Sequence, residues 1–198
     1  MRFGILGGTF DPPHDGHLLI ARAAKSQLSL DRALFAPAGM QPLKPDRPVT
    51  PAEQRAEMVR LAIAGEPGFE LCRLDLDRPG PHYTVDLLRI VSGIYPGAEL
   101  WFLIGGDSLA DLLRWRDPQQ IIELARLAVV RRPGSPPDWT ALDAALPDLR
   151  GRIDWIDTPP IDISGTEIRR RVRDGEPIDE LLPAAVARYI LENGLYRR

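Results

Sequence analysis

An α/β fold built on a parallel sheet with helices on both faces is what this 198-residue sequence predicts. Three observations carry the prediction. Short apolar runs recur, several of them closed directly by glycine or proline, as expected of strands buried on both faces. Stretches with apolar residues at helical spacing separate them, the mark of crossover helices. The composition, 44% hydrophobic and 27% charged, is that of a globular chain able to bury its own core as a single domain, 1–198.

In order, Phe3 to Leu6 is a strand ending at Gly7-Gly8. Asp15 to Gln27 is helical, with Leu18, Ala21, Ala24 and Leu28 on one apolar face. Ala33 to Ala36 is a second strand, stopped by Pro37. Thr50-Pro51-Ala52-Glu53 opens a helix, with Thr50 as its cap, Pro51 at the first position and Glu53 three residues past the cap. Phe69 to Leu71 begins a third strand, and Thr84 to about Val91 is helical. Leu100 to Ile104 is the clearest strand, closed by Gly105-Gly106. Leu127 to Val130 and Ile153 to Ile156 are further strands, and C-terminal helices start near Ser164 and Pro183. The proline-rich stretches near 37–51 and 133–137 read as surface loops or lids. Ligands of such a sheet bind beyond the carboxyl ends of the strands, at the switch in strand order. The segments that follow strands are therefore the candidates.

Charge and composition narrow the partners. A net charge of −3 lacks the basic surplus expected for a long nucleic acid. No apolar run approaches the roughly 18 residues of a membrane span, and the N-terminal run is broken too early by Gly7-Gly8 and Asp11 for a signal peptide. A soluble, cytoplasmic protein is expected, with a homo-oligomer left open. The single cysteine, Cys72, excludes an internal disulfide and reads as a small core hydrophobe. Only Lys25 and Lys44 among the 25 basic residues are lysines.

The first candidate site is the run Gly7-Gly8-Thr9-Phe10-Asp11-Pro12-Pro13-His14-Asp15-Gly16-His17. Gly7 and Gly8 let the backbone approach a ligand. A helix starting near Asp15 aims free N–H groups and its positive end into the same space. His14 and His17, three residues apart, can face one anion, and Gly16 leaves room above the helix. Imidazoles and amides so placed suit a polyphosphate whose charge shifts during reaction. Either histidine alone reads as an ordinary surface side chain. Two of the chain's three histidines in one such loop favour phosphate chemistry. A zinc site would need a third ligand, for which only His82 or Cys72 stands out.

This run resembles the signature of the nucleotidylyltransferase superfamily with the His-x-Gly-His motif, and its long form is similar to that of nicotinate mononucleotide adenylyltransferases. The resemblance implies a Rossmann-like fold with ATP as co-substrate. It places Gly7, Gly8, Thr9, Phe10 and Gly16 along the nucleotide, with His14 and His17 stabilising the α- and β-phosphates during adenylyl transfer.

Ile163-Ser164-Gly165-Thr166-Glu167-Ile168-Arg169 reads by itself as a capping box of Ser164 and Glu167. Arg169, one turn in, could reach back to an anion at the same helix start. The segment resembles the family's second phosphate motif, which implies nucleotide contacts for Ser164, Thr166 and Arg169. Gly165 stands where the family has a second serine. Pro37-Ala38-Gly39-Met40-Gln41-Pro42-Leu43-Lys44 resembles the family's Pro-Pro-His-Lys loop, which implies a phosphate-binding Lys44, with Leu43 in the histidine's place. Asp107, after Gly105-Gly106, either caps the next helix or binds ribose. The resemblance favours ribose, and it implies adenine recognition around Val130 and Arg132.

Thr84 reads as a helix cap and Trp115 as core by default. The resemblance implies instead that Trp115 stacks on a nicotinate ring, while Thr84 and the Arg116 amide hold its carboxylate. The implied activity is transfer of AMP from ATP to nicotinate mononucleotide, with Mg²⁺ travelling with the triphosphate and no protein metal ligand. The alternatives are an adenylyltransferase for nicotinamide mononucleotide or phosphopantetheine, or a non-catalytic nucleotide sensor.

Overall fold

The strands run parallel because each is followed by a helix that crosses back over the sheet. They are β1 (Arg2–Gly8), β2 (Arg32–Pro37), β3 (Phe69–Leu71), β4 (Glu99–Gly105), β5 (Arg126–Val130) and β6 (Ile153–Ile156). Their order across the sheet is β3-β2-β1-β4-β5-β6, all in parallel register. The chain winds outward from β1 in one direction and then, from β4, in the other. The switch point lies between β1 and β4, where a Rossmann-like sheet opens a crevice. The computed structural model describes every residue except 40–48, 132–136, 161 and 198. Lys44, Leu43 and Arg132, with most of both proline-rich loops, lie outside the described residues.

Eight α-helices are described: α1 (Asp15–Gln27), α2 (Ala52–Ile63), α3 (Thr84–Ile94), α4 (Gly106–Ala110), α5 (Pro118–Leu124), α6 (Trp139–Ala145), α7 (Gly165–Asp174) and α8 (Ala184–Glu192). They divide between two cores. One face of the sheet gathers Leu6, Phe35, Trp101, Leu103 and Val130 under α1, α2, α7 and α8. The other gathers Phe3, Ile5, Phe102, Ile104 and Val129 under α3 to α6. Side chains alternate along a strand, so both parities must be apolar when both faces are covered. That is why Leu100 to Ile104 reads as an unbroken apolar run. Cys72 sits in the second core at 8% exposure, where burial raises its thiol pKa. Among the described residues no helix is long and apolar enough to cross a membrane.

Several helix boundaries differ from those expected, and each difference has a local cause. Pro51, not Thr50, occupies the cap position of α2: the Arg55 backbone N–H donates to the Pro51 carbonyl at 3.1 Å, and the Thr50 carbonyl accepts instead from Arg55 Nε at 2.9 Å. Tyr83 precedes the first residue of α3, so Thr84 lies inside the helix. Gly105 takes the corresponding place before α4, and Asp107 is one residue into it. Ser164 does cap α7, accepting from Glu167 N at 3.2 Å. The box is not closed from the other side, because the Glu167 carboxylate pairs with Arg170 and Arg171. Helices α5 and α6, absent from the sequence expectation, start at Asp117 and Asp138, whose carboxylates accept from Gln120 N and Ala141 N.

A polar clamp ties three strands together. Trp101 on β4 is 2% exposed, and its indole N–H donates to Asp154 Oδ2 on β6 at 2.8 Å. Arg126 on β5 donates to both oxygens of the same carboxylate, at 2.5 and 3.0 Å. The Arg126 hydrogen bonds hold the Asp154 carboxyl below its ordinary value of 3.8. A depressed carboxylate contributes stability above its unfolded pKa and loses it as pH falls through its folded value. Urea unfolding is therefore expected to show stability declining below about pH 4. Asp154→Asn should cost about 1–2 kcal/mol at neutral pH and flatten that decline. Parallel pH profiles for the two proteins would contradict the assignment.

Candidate active site

A cleft of about 450 Å³ opens at the carboxyl ends of β1 and β4, where the topology places the switch point. Gly7, Gly8, Thr9 and His17 line one side, and Gly105 and Asp107 follow from β4. Thr84, Trp115 and Arg116 complete the lining from the α3 side. Segments far apart in sequence thus meet in one space. Trp115 is held by a T-shaped contact with Phe102 at 6.0 Å, and the Arg116 guanidinium lies 4.6 Å over the Tyr83 ring.

The histidine loop leaves β1 and turns into α1. His14 occupies the cap position and His17 lies within the first turn, so both sit at the positive end of the helix. The His14 backbone N–H donates to His17 Nδ1 at 3.1 Å. A ring nitrogen that accepts carries no proton, so neutral His17 holds its hydrogen on Nε2. The two ring centroids lie 3.8 Å apart with the planes tilted by 34°, and Phe10 packs against His17 at 4.8 Å. His14 is only 7% exposed, which excludes the ordinary surface reading for it.

The second motif is drawn to the first. Arg169 Nη1 donates to the Asp11 carbonyl at 2.5 Å, and Nη2 donates to Thr166 Oγ1 at 3.1 Å. Guanidinium has five N–H donors. One docks the start of α7 on the histidine loop, one braces the guanidinium against Thr166 within α7, and the remainder suit an anion there. Gly165 sits inside this joint: a Cβ on it would lie 3.1 Å from the Asp11 carbonyl oxygen and 3.3 Å from Arg169 Nη1. The site is therefore packed closely where the family pattern has serine.

Several expectations change in form. The glycines at 7 and 8 first serve packing: a Cβ on Gly7 would lie 3.0 Å from the Phe102 ring, and one on Gly8 3.3 Å from the Phe10 ring. Phe10 is 1% exposed with φ of 50°, so its ring supports His17 from the core. Gly16 and Val130 are buried, and neither lines the cleft. Val130 pairs in register with Gly105, which puts its backbone beside the β4 end. Ser164, Thr166, Arg169 and His14 are not among the residues lining the cleft, the first three standing at the start of α7, which Arg169 docks on the Asp11 carbonyl.

Three features escaped the sequence reading. Arg55 is 3% exposed, and Nη1 donates to the carbonyls of Thr9 and Ala38 at 2.7 and 2.8 Å. Burial lowers its pKa, opposed by the Asp11 carboxylate. Its signal was readable: Arg55 heads the buried stripe of Met58, Val59 and Ala62 on α2. Second, Asp75 and His82 also line the cleft, and Arg78 bonds Asp75 at 2.7 Å. A side chain at Gly39 would meet the His82 ring at 2.5 Å, so glycine there lets the histidine pack on backbone. Third, the Tyr196 hydroxyl donates to Asp11 Oδ1 at 2.7 Å. No spacing in the sequence pointed to the last two. Among the described residues no group of three or more His, Cys, Asp or Glu could hold a metal ion. The donor set of imidazoles, arginine and amides suits an anion.

Comparison with known proteins agrees with this geometry. The family model described as cytidylyltransferase-like matches residues 5–171. A curated relative from Thermomicrobium roseum, named "Probable nicotinate-nucleotide adenylyltransferase", is 47% identical, covering 99% of this chain and 92% of its own. One of the same name from Thermus thermophilus is 46% identical over the whole of both chains. The solved structure of Plasmodium falciparum nicotinic acid mononucleotide adenylyltransferase complexed with NaAD superposes with a TM-score of 0.79. It covers 98% of this chain and 97% of that one, and at 19% identity it shows the shared fold. By its sequence, fold and site geometry, the chain belongs to the nicotinate-nucleotide adenylyltransferase family, within the cytidylyltransferase-like group.

Proposed function

We propose that the protein transfers AMP from ATP to nicotinate mononucleotide, forming nicotinate adenine dinucleotide and pyrophosphate in the synthesis of NAD. One observation carries the reading: a single cleft joins the histidine loop to the Thr84, Trp115 and Arg116 cluster. A phosphate-handling end and an aromatic, cationic end in one cavity fit two nucleotides laid end to end. The names of the relatives support the same acceptor. The reading carries with it a cytoplasmic setting and small-molecule partners only. Oligomeric state plays no part in it.

The acceptor phosphate is already an anion, so attack on the α-phosphorus of ATP needs no general base. The protein's task is alignment and charge stabilisation. His17 offers Nε2–H to a phosphoryl oxygen, and His14 stands beside it at the helix start. Arg169 and Thr166 take the leaving pyrophosphate, with Lys44 as a further cation. Gly105 and Asp107 lie along the ribose, and backbone groups near Val130 and Arg132 meet the adenine. Trp115 stacks on the pyridine ring, and its carboxylate meets Thr84 and Arg116. The Arg116 contact is its backbone amide, while its guanidinium lies over the Tyr83 ring. Mg²⁺ enters as part of the MgATP substrate. The described residues form no cage for it, and no step here is routed through it.

Two experiments test this. With MgATP and either nicotinate mononucleotide, nicotinamide mononucleotide or phosphopantetheine, pyrophosphate release is expected mainly with the first. Preference for either of the others would overturn the acceptor assignment. ATP binding with no turnover in any tube would identify a sensor. Replacing His17 with alanine should lower kcat by about 10²–10³ while the Kd for ATP changes by less than about threefold, because a contact made mainly in the transition state spares ground-state binding. Equal losses in Kd with kcat intact would contradict that role.

A further inference from the structure

Tyr196 lies in the C-terminal tail, beyond α8, and reaches across 185 residues to the histidine loop. Its backbone is left-handed, with φ of 63°, a conformation costly for a tyrosine unless its surroundings hold it there. What it reaches is Asp11, 6% exposed, whose carboxylate accepts from the Tyr196 hydroxyl at 2.7 Å. The Thr50 N–H lies 3.5 Å from the other carboxylate oxygen. The Asp11 carbonyl, in turn, accepts from Arg169 at 2.5 Å. Asp11 is thus a junction. Its side chain is tied to the tail and its peptide to Arg169, and it stands three residues before His14. Burial and the Asp11 charge raise the tyrosine's pKa, which keeps the phenol a neutral donor.

Core packing alone accounts for an aromatic ring here but not for its hydroxyl. A buried carboxylate needs donors to stay ionised and in place. We propose that Tyr196 is a positioning residue for adenylyl transfer, acting through the Asp11 carboxylate to hold the histidine loop and Arg169 in register. The kinetic part of this inference rests on the function proposed above.

Tyr196→Phe keeps the ring and removes only the hydroxyl. It is expected to lower kcat about tenfold, the worth of one hydrogen bond felt in the transition state, with KM for ATP within about twofold. Asp11→Ala should lower kcat at least as far, and the double variant no further than Asp11→Ala alone. Asp11→Asn keeps an oxygen that accepts from Tyr196 and should lose less than Asp11→Ala. Nitrogen NMR of the histidines gives a readout that needs no substrate. The wild type should show His17 protonated on Nε2, and Tyr196→Phe should populate the other tautomer as the His14–His17 bond loosens. An unchanged kcat in Tyr196→Phe, additive losses in the double variant, or Asp11→Asn as damaging as Asp11→Ala would overturn the proposal. A wild type inactive with every acceptor would refute the proposed function instead. The histidine spectra would then decide alone whether Tyr196 governs the loop, a changed spectrum supporting the proposal and an unchanged one overturning it.

Discussion

A loop that must present two imidazoles rigidly has to be buried, and burial takes water away from its peptide carbonyls. Each carbonyl left without a donor costs about 1–3 kcal/mol. In this chain two arginines from distant helices meet that demand. Arg55 serves Thr9, and Arg169 serves Asp11. Arg55 binds Ala38 and Thr50 as well, so one guanidinium joins the ends of β1 and β2 to the entrance of α2. A lysine could not replace it: an ammonium lacks the planar fork that reaches several fixed acceptors at once.

The same joint explains how remote segments come to share one site. The sheet brings the ends of β1 and β4 together at the switch point, which fixes Gly7 to Thr9 opposite Gly105 and Asp107. The loops after β3 and α4 then close the other side of the cleft with His82, Tyr83, Trp115 and Arg116. On the far side, α7 is pinned to the histidine loop through Arg169. The rigid part is the sheet and its two cores; the chemistry sits on loops anchored to it by buried polar contacts.

The sequence was informative wherever a pattern is local. Short apolar runs located all six strands, and the Gly-Gly-Thr-Phe loop with its histidines located the histidine end of the site. Legibility failed where roles depend on partners far along the chain. Thr84 by itself reads as a cap, and Asp107 as either a cap or a ribose ligand, because a hydroxyl or carboxylate near a helix start often is a cap; backbone geometry places Tyr83 and Gly105 at the cap positions. Phe10 read as lining the nucleotide, yet its ring belongs beneath His17. Helices α5 and α6 have seven residues each, too short for a full amphipathic stripe. Tyr196 is hardest of all, since only the folded tail brings it to Asp11.

The central claim is that the protein aligns two phosphates for direct transfer and supplies no nucleophile of its own. Two neighbouring histidines, proposed above to meet the reacting phosphates, would otherwise be candidates for a covalent adenylyl intermediate. The most direct test is stereochemical: turnover of ATP made chiral at the α-phosphorus by isotopic oxygen, followed by configuration analysis of the dinucleotide product. A single in-line displacement predicts inversion. Retention would require two displacements through an adenylylated side chain, and would contradict the account.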